Sequence, residues 1–118
     1  MHQEDIQEFI EKLRKTPKSV IVEGLKDKKA LENLGINRIF VLNKKPIFET
    51  VEKISKNSKE AIVLTDFDKE GKKLYGKISQ DLKRNGIKID KYFREWLQKN
   101  TKLSHIEGFE HYLNNHQK

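Results

Sequence analysis

The chain contains no cysteine, so it has no disulfide framework, no thiolate metal site and no cysteine nucleophile, and it suits a reducing cytoplasm. No apolar run approaches the roughly 18 residues of a membrane span. The start, Met1-His2-Gln3-Glu4-Asp5, lacks the basic and then apolar pattern of a signal peptide. These absences lead to the expectation of a soluble, cytoplasmic protein with no membrane partner. Internal repeats and low-complexity segments are also missing. At 118 residues the chain has the length of one ordinary domain and little room for a second, so a single domain over residues 1–118 is expected.

What is abundant is charge. Lysine and arginine exceed aspartate and glutamate by 25 to 18, a net +7, with a pI near 9.5. Several acids are clustered, so the remaining surface is more basic still. That balance favours polyanionic partners through phosphate contacts and counterion release. It does so ahead of the plainer reading that a charged surface only solubilises the protein or supports heat stability.

Hydrophobic spacing divides the chain into alternating helices and strands. Ile6, Phe9, Ile10 and Leu13 make the stripe of an amphipathic helix over Gln3 to Lys15, ended by Thr16-Pro17. Ser19 to Glu23 reads as a buried strand and Lys26 to Leu34 as a helix closed by Gly35. Asn37 to Leu42 is a second strand, followed by a helix with Pro46 in its first turn and Ile47, Val51 and Ile54 on one face. Ala61 to Thr65 is a third strand. Leu74, Ile78 and Leu82 mark a helix that ends near Asn85-Gly86, and Ile87 to Ile89 a short fourth strand. Tyr92, Phe93, Trp96 and Leu97 suggest a further helix, and Ile106, Phe109, Tyr112 and Leu113 a last one. This rhythm implies right-handed crossovers and an α/β fold with a central, mostly parallel four-stranded sheet flanked by helices.

Two of the predicted strands end in acid. Val20-Ile21-Val22 runs into Glu23-Gly24-Leu25-Lys26-Asp27, and Ile62-Val63-Leu64 into Thr65-Asp66-Phe67-Asp68-Lys69-Glu70-Gly71. Ligand sites of open α/β sheets lie beyond the carboxyl ends of the strands, so Glu23, Asp66 and Asp68 should converge. Residues two apart in an extended segment point the same way, which would present Asp66 and Asp68 together if strand geometry persists through Phe67. Their mutual repulsion is relieved by a divalent cation, and magnesium suits one or two carboxylates plus waters or phosphate oxygens. Lys26, Lys44, Lys45, Lys69, Lys72 and Lys73 lie on or beside the loops that follow these strands and could bind phosphate. The competing reading makes Asp68 an N-cap and Glu23 a surface ion-pair partner.

The ordered pair of motifs resembles the Toprim family: Glu23-Gly24 looks like its acidic-glycine motif, and Asp66-Phe67-Asp68 its Asp-x-Asp motif as type IA topoisomerases carry it. The resemblance covers about residues 19–89. It implies a compact, Rossmann-like Toprim domain and magnesium-dependent phosphoryl transfer on nucleic acid, with manganese as a substitute. By position, Glu23 would handle a proton at the scissile phosphate with a contact to metal, and Asp66 and Asp68 would be metal ligands. Asp27 would complete the site or orient the turn, unless it is only the N-cap of the following helix. Gly24 and Gly71 would serve backbone geometry. Asn43 lies where maturase-like members place a polar loop, and Lys44 and Lys45 beside it would hold phosphate.

Topoisomerases need a nucleophilic tyrosine on separate domains, an architecture lacking around Tyr75, Tyr92 and Tyr112. Primases need additional zinc-binding and helicase-binding modules. The nearest functional match is therefore the nuclease branch, including the maturase of 5S ribosomal RNA, whose domain end Ser104 to His111 loosely resembles. The expectation is a nuclease or RNA-processing phosphodiesterase, with RNA slightly favoured over DNA and a protein partner in a processing complex. Its rival is a non-catalytic metal- and nucleic-acid-binding module. A receiver-like phosphoacceptor does not fit the order of the acids. His105, Glu107 and His111 do not have the spacing of a zinc site. Arg94 is expected to be solvated on a helix that packs its aromatics inward.

Overall fold

A computed structural model describes residues 5–116. The first helix, α1 (Ile6–Lys15), opens on a reciprocal cap. Asp5 accepts the Glu8 N–H at 2.9 Å and Glu8 accepts the Asp5 N–H at 3.3 Å, which satisfies two amides that the first turn leaves without partners. The predicted stripe is the buried face: Phe9, Ile10 and Leu13 are 0–2% exposed. The predicted start at Gln3 lies outside the described residues.

Four strands follow in alternation with helices: β1 (Ser19–Val22), α2 (Leu25–Glu32), β2 (Ile39–Val41), α3 (Ile47–Ser55), β3 (Glu60–Val63), α4 (Lys69–Arg84) and β4 (Lys88–Ile89). The sheet order is β2-β1-β3-β4 and every pairing is parallel, with Ile21 opposite Phe40 on one side and Val63 on the other. The chain then adds α5 (Tyr92–Asn100), a 3-10 turn (Ile106–Gly108) and α6 (Phe109–His116). The expected single last helix is thus two elements. The strands are also shorter than hydrophobicity suggested; Ile39, Phe40 and Val41 are only half-buried, because β2 is an edge strand.

Side chains alternate between two cores, one on each face of the sheet. Val20, Val22, Ile62 and Leu64 pack with α1, Leu31 of α2, Phe93 and Leu97 of α5, and Phe109 and Leu113 of α6. Ile21, Ala61 and Val63 pack with Val51 and Ile54 of α3 and Ile78 and Leu82 of α4. Phe9 anchors the first core, stacked on Trp96 at 4.3 Å between ring centroids and edge-on to Phe93 and Phe109.

The strand order fixes where a ligand can sit. The chain moves outward from β1 to β2, then reverses across β1 to β3 and β4. Adjacent parallel strands whose connections leave in opposite directions open a crevice at their carboxyl ends. That crevice lies between β1 and β3, the two strands that end in acid.

Candidate metal centre

Glu23 follows directly on β1, and its Oε2 accepts the backbone N–H of Asp66, beyond β3, at 2.7 Å. One carboxylate oxygen thereby ties the two strand ends together, while Oε1 takes no part in that bond. Asp27 is not the cap of α2: Gly24 holds that position, and the Asp27 carboxylate reaches back to the Gly24 N–H at 3.0 Å. It is buried, 7% exposed, so its visible role is to orient the Glu23-Gly24 turn. Gly24 itself is extended, and a Cβ there would meet nothing nearer than Asp27 Oδ2 at 3.8 Å, so its position does not demand glycine.

Asp66 and Asp68 do come together, though not by the strand pleat the sequence suggested. β3 ends at Val63, and Asp68 is instead the N-cap of α4, its Oδ1 accepting the Gly71 N–H at 2.8 Å. Gly71 is where glycine is compulsory. A Cβ there would stand 2.0 Å from the Asp66 carbonyl oxygen, so any side chain would push α4 away from the turn that aims both aspartates. The Thr65 hydroxyl locks the same contact by donating to the Gly71 carbonyl at 2.8 Å.

The segment from Ser104 to Glu107 closes the site from the far end of the chain. Phe67 N–H donates to Ser104 O at 2.8 Å, Ile106 N–H donates to Asp66 Oδ1 at 2.9 Å, and His105 Nε2 lies 3.3 Å from Asp68 Oδ2. Ligand atoms of Asp66, Asp68 and His105 all fall within 4.8 Å of one another. Local spacing does not reveal this, because the partners of His105 are distant in sequence.

Arg94 overturns the expectation of a solvated side chain. It is 5% exposed, donates to the carbonyls of Thr65 at 2.5 Å and Asp66 at 2.9 Å, and lies between the rings of Phe67 and Tyr75, 4.6 and 4.7 Å from their centroids. Burial lowers its pKa, a tendency that Tyr75, Glu23 and Asp66 oppose electrostatically. The guanidinium nonetheless stays charged at any ordinary pH and sits as a cation beneath the acidic cluster.

The crevice above Glu23 and Asp66 has a volume of about 550 Å³, and its walls include Lys26, Asn43, Lys44 and Lys45. Asn43 and Lys44 both have positive φ, 46° and 60°, in a turn closed by Lys45 N–H to Leu42 O at 2.9 Å. Left-handed non-glycine residues cost energy and tend to mark functional loops. Lys69 and Lys72 are not among the residues that line this crevice; Lys72 lines a separate groove with Tyr75, Lys91 and Arg94. Glu70, which the sequence did not single out, and Glu107, which it raises only against a zinc site, complete the crevice wall.

The donor set fits a hard divalent cation. Asp66 and Asp68 each spend Oδ1 on a backbone N–H, which fixes the carboxylate, and Asp68 Oδ2 faces His105. Burial raises the pKa of Glu23, and the charges of Asp66, Asp27 and Asp68 add to it against the lowering effect of the Asp66 N–H. Burial likewise raises Asp27.

Comparison with known proteins agrees with this fold. A family model described as the Toprim domain matches residues 18–92. A UPF0292 protein of Methanocaldococcus jannaschii is 34% identical over 117 residues, spanning 94% of this chain and 91% of its own. One of Thermococcus kodakarensis is 39% identical over 100 residues, spanning 80% and 74%. A solved structure of a protein from Aquifex aeolicus superposes with a TM-score of 0.83 at 30% identity, covering 89% of this chain and 98% of that one.

Two outcomes are expected. Arg94→Lys loses the fork that spans two carbonyls and should destabilise the fold by about 3 kcal/mol, read by urea denaturation; a loss below about 0.5 kcal/mol would show that the fork is dispensable. In the metal-free protein, Glu23 and Asp27 bind protons more tightly folded than unfolded. Stability should therefore fall as pH rises from their ordinary values of 4.5 and 3.8 through the raised ones, and level off above. Denaturation in chelator across that window should show a shallower decline for Glu23→Gln/Asp27→Asn; an unchanged slope would contradict the assignment.

Proposed function

The chain belongs to the Toprim domain family, whose domains bind divalent metals in nucleic-acid-related functions, and from that premise we propose that it is a magnesium- or manganese-dependent phosphodiesterase that cleaves nucleic acid in the cytoplasm. The observation that carries this reading is the grouping of Asp66, Asp68 and His105 within 4.8 Å, tied to Glu23 through the Asp66 N–H and next to a crevice whose wall carries lysines that suit phosphate.

Asp66 and Asp68 would hold the ion, with His105 as a nitrogen donor beside them and Glu23 close by. The bound ion would neutralise charge on the phosphate and favour attack by water. Lys26, Lys44 and Lys45 would bind phosphate oxygens flanking the scissile bond, with Asn43 adding a hydrogen bond. Glu23 is suited to move the proton, because a carboxyl pushed upward in pKa accepts and returns protons nearer neutral pH than an ordinary one. A water oxygen bonds to phosphorus, one P–O ester bond breaks, the water proton passes to Glu23, and a proton returns to the leaving oxygen. Phe48, 63% exposed beside Ile47 on the crevice wall, offers an aromatic face for a base.

One observation favours the alternative of a binding module that works within a larger processing complex. Every acid of the cluster already has a structural bond to a backbone N–H, so the fold alone accounts for its presence. The two readings separate on labelled RNA and DNA with magnesium, manganese or chelator. The proposal expects metal-dependent cutting reduced at least about 100-fold in Glu23→Gln and in Asp66→Asn, with the circular dichroism spectrum unchanged. Binding without cutting by pure wild-type protein would establish the module instead.

A further inference from the structure

A second concavity abuts the acidic centre and differs from it in charge. It has a volume of about 760 Å³ and is formed by the end of α5, the following loop and the first turn of α6. Its ten lining residues include Lys99, Lys102, His105 and His111 and no acid. Tyr112 and Leu103 line it as well, half-buried with one side packed on the first core. None of these residues falls within the segment that the family model matches, 18–92.

His105 joins this groove to the metal cluster, since it lines the groove while lying 3.3 Å from Asp68. Two residues on, Glu107 lines the other crevice. The segment Ser104 to Glu107 is therefore the wall between a basic groove and the acidic crevice, which carries Lys26, Lys44 and Lys45 on its wall. A cationic channel that tracks a backbone, with an aromatic face for bases, is the pattern by which proteins hold unpaired strands. A duplex keeps its bases stacked inside and is read by elements that protrude into its grooves, whereas an unpaired strand can place a splayed-out base in a concavity of this size.

We propose that the groove between α5 and α6 binds one unpaired nucleic-acid strand and leads it past His105 to the acidic centre. Lys99 and Lys102 take the phosphates, and Tyr112 and Leu103 take a base. The direction of travel rests on the reading of that centre as a phosphodiesterase site; the binding groove does not. On this account the substrate is cut next to, or within, single-stranded sequence.

The test is fluorescence anisotropy in chelator, where no metal-dependent cutting can occur, with labelled 15-nucleotide RNA and DNA and their blunt duplexes. Wild type is compared with Lys99→Ala/Lys102→Ala and with a control on the far sheet edge, Lys83→Ala/Lys88→Ala. The groove variant should bind either single strand about tenfold more weakly at low salt and lose about 1.4 from the slope of log K against log salt, since each neutralised phosphate contact on a single strand contributes about 0.7. The control should match wild type. Unchanged binding by the groove variant, an equal loss in the control, or preferential binding of duplex through Lys99 and Lys102 would overturn the proposal. Cleavage by the same proteins in magnesium keeps the two readings apart. Groove-dependent binding without cutting would remove the phosphodiesterase and leave the groove, whereas cutting that depends on Glu23 but not on Lys99 and Lys102 would do the reverse.

Discussion

The arrangement of this site depends on one buried cation. Arg94 reaches from α5 under the end of β3 and donates to two successive carbonyls, those of Thr65 and Asp66, where the sheet has stopped supplying partners. A desolvated guanidinium is costly unless charge and hydrogen bonds compensate it. Here the compensation comes from the acidic cluster above and the aromatic rings on either side. The dependence is mutual: carboxylates crowded into one crevice repel one another, and a fixed positive charge below lowers that repulsion before any metal arrives. The same contact ties α5, and with it the C-terminal segment, to the β3 end.

A second economy runs through the carboxylates. Glu23 bridges the two strand ends, Asp66 anchors the 3-10 turn, and Asp68 caps α4, each through one oxygen. Their other oxygens are held in place as a consequence. The same turn explains why Gly71 tolerates no side chain, because a Cβ there would stand 2.0 Å from the Asp66 carbonyl oxygen and its absence lets the cap and the strand end share one turn.

Much of this could be read from the residues in order. Period-two and period-3.6 patterns located the elements, and acids after two apolar runs located the crevice, because topology forces the ends of adjacent parallel strands together. Asp68 served both readings considered for it, cap and site member. What escaped notice was decided by tertiary contact. Arg94 sits in a helix whose neighbours Phe93 and Trp96 look sufficient to define its inner face, and nothing local reveals that two carbonyls and two rings await a cation there. His105 was weighed only against its sequence neighbours, while its partner Asp68 lies across the chain. Lys69 and Lys72 were placed by proximity in sequence, yet a helix turns successive residues to different faces, and neither lines the crevice that Lys26, Lys44 and Lys45 line.

The central claim is that the crevice between β1 and β3 holds a divalent cation through the two aspartates. Crystals soaked in manganese and read by anomalous scattering test it directly. The account predicts a peak within coordination distance of the Asp66 and Asp68 carboxylates and beside the His105 imidazole. An empty crevice at saturating manganese, with Asp68 still capping α4 and His105 still against it, would contradict the account.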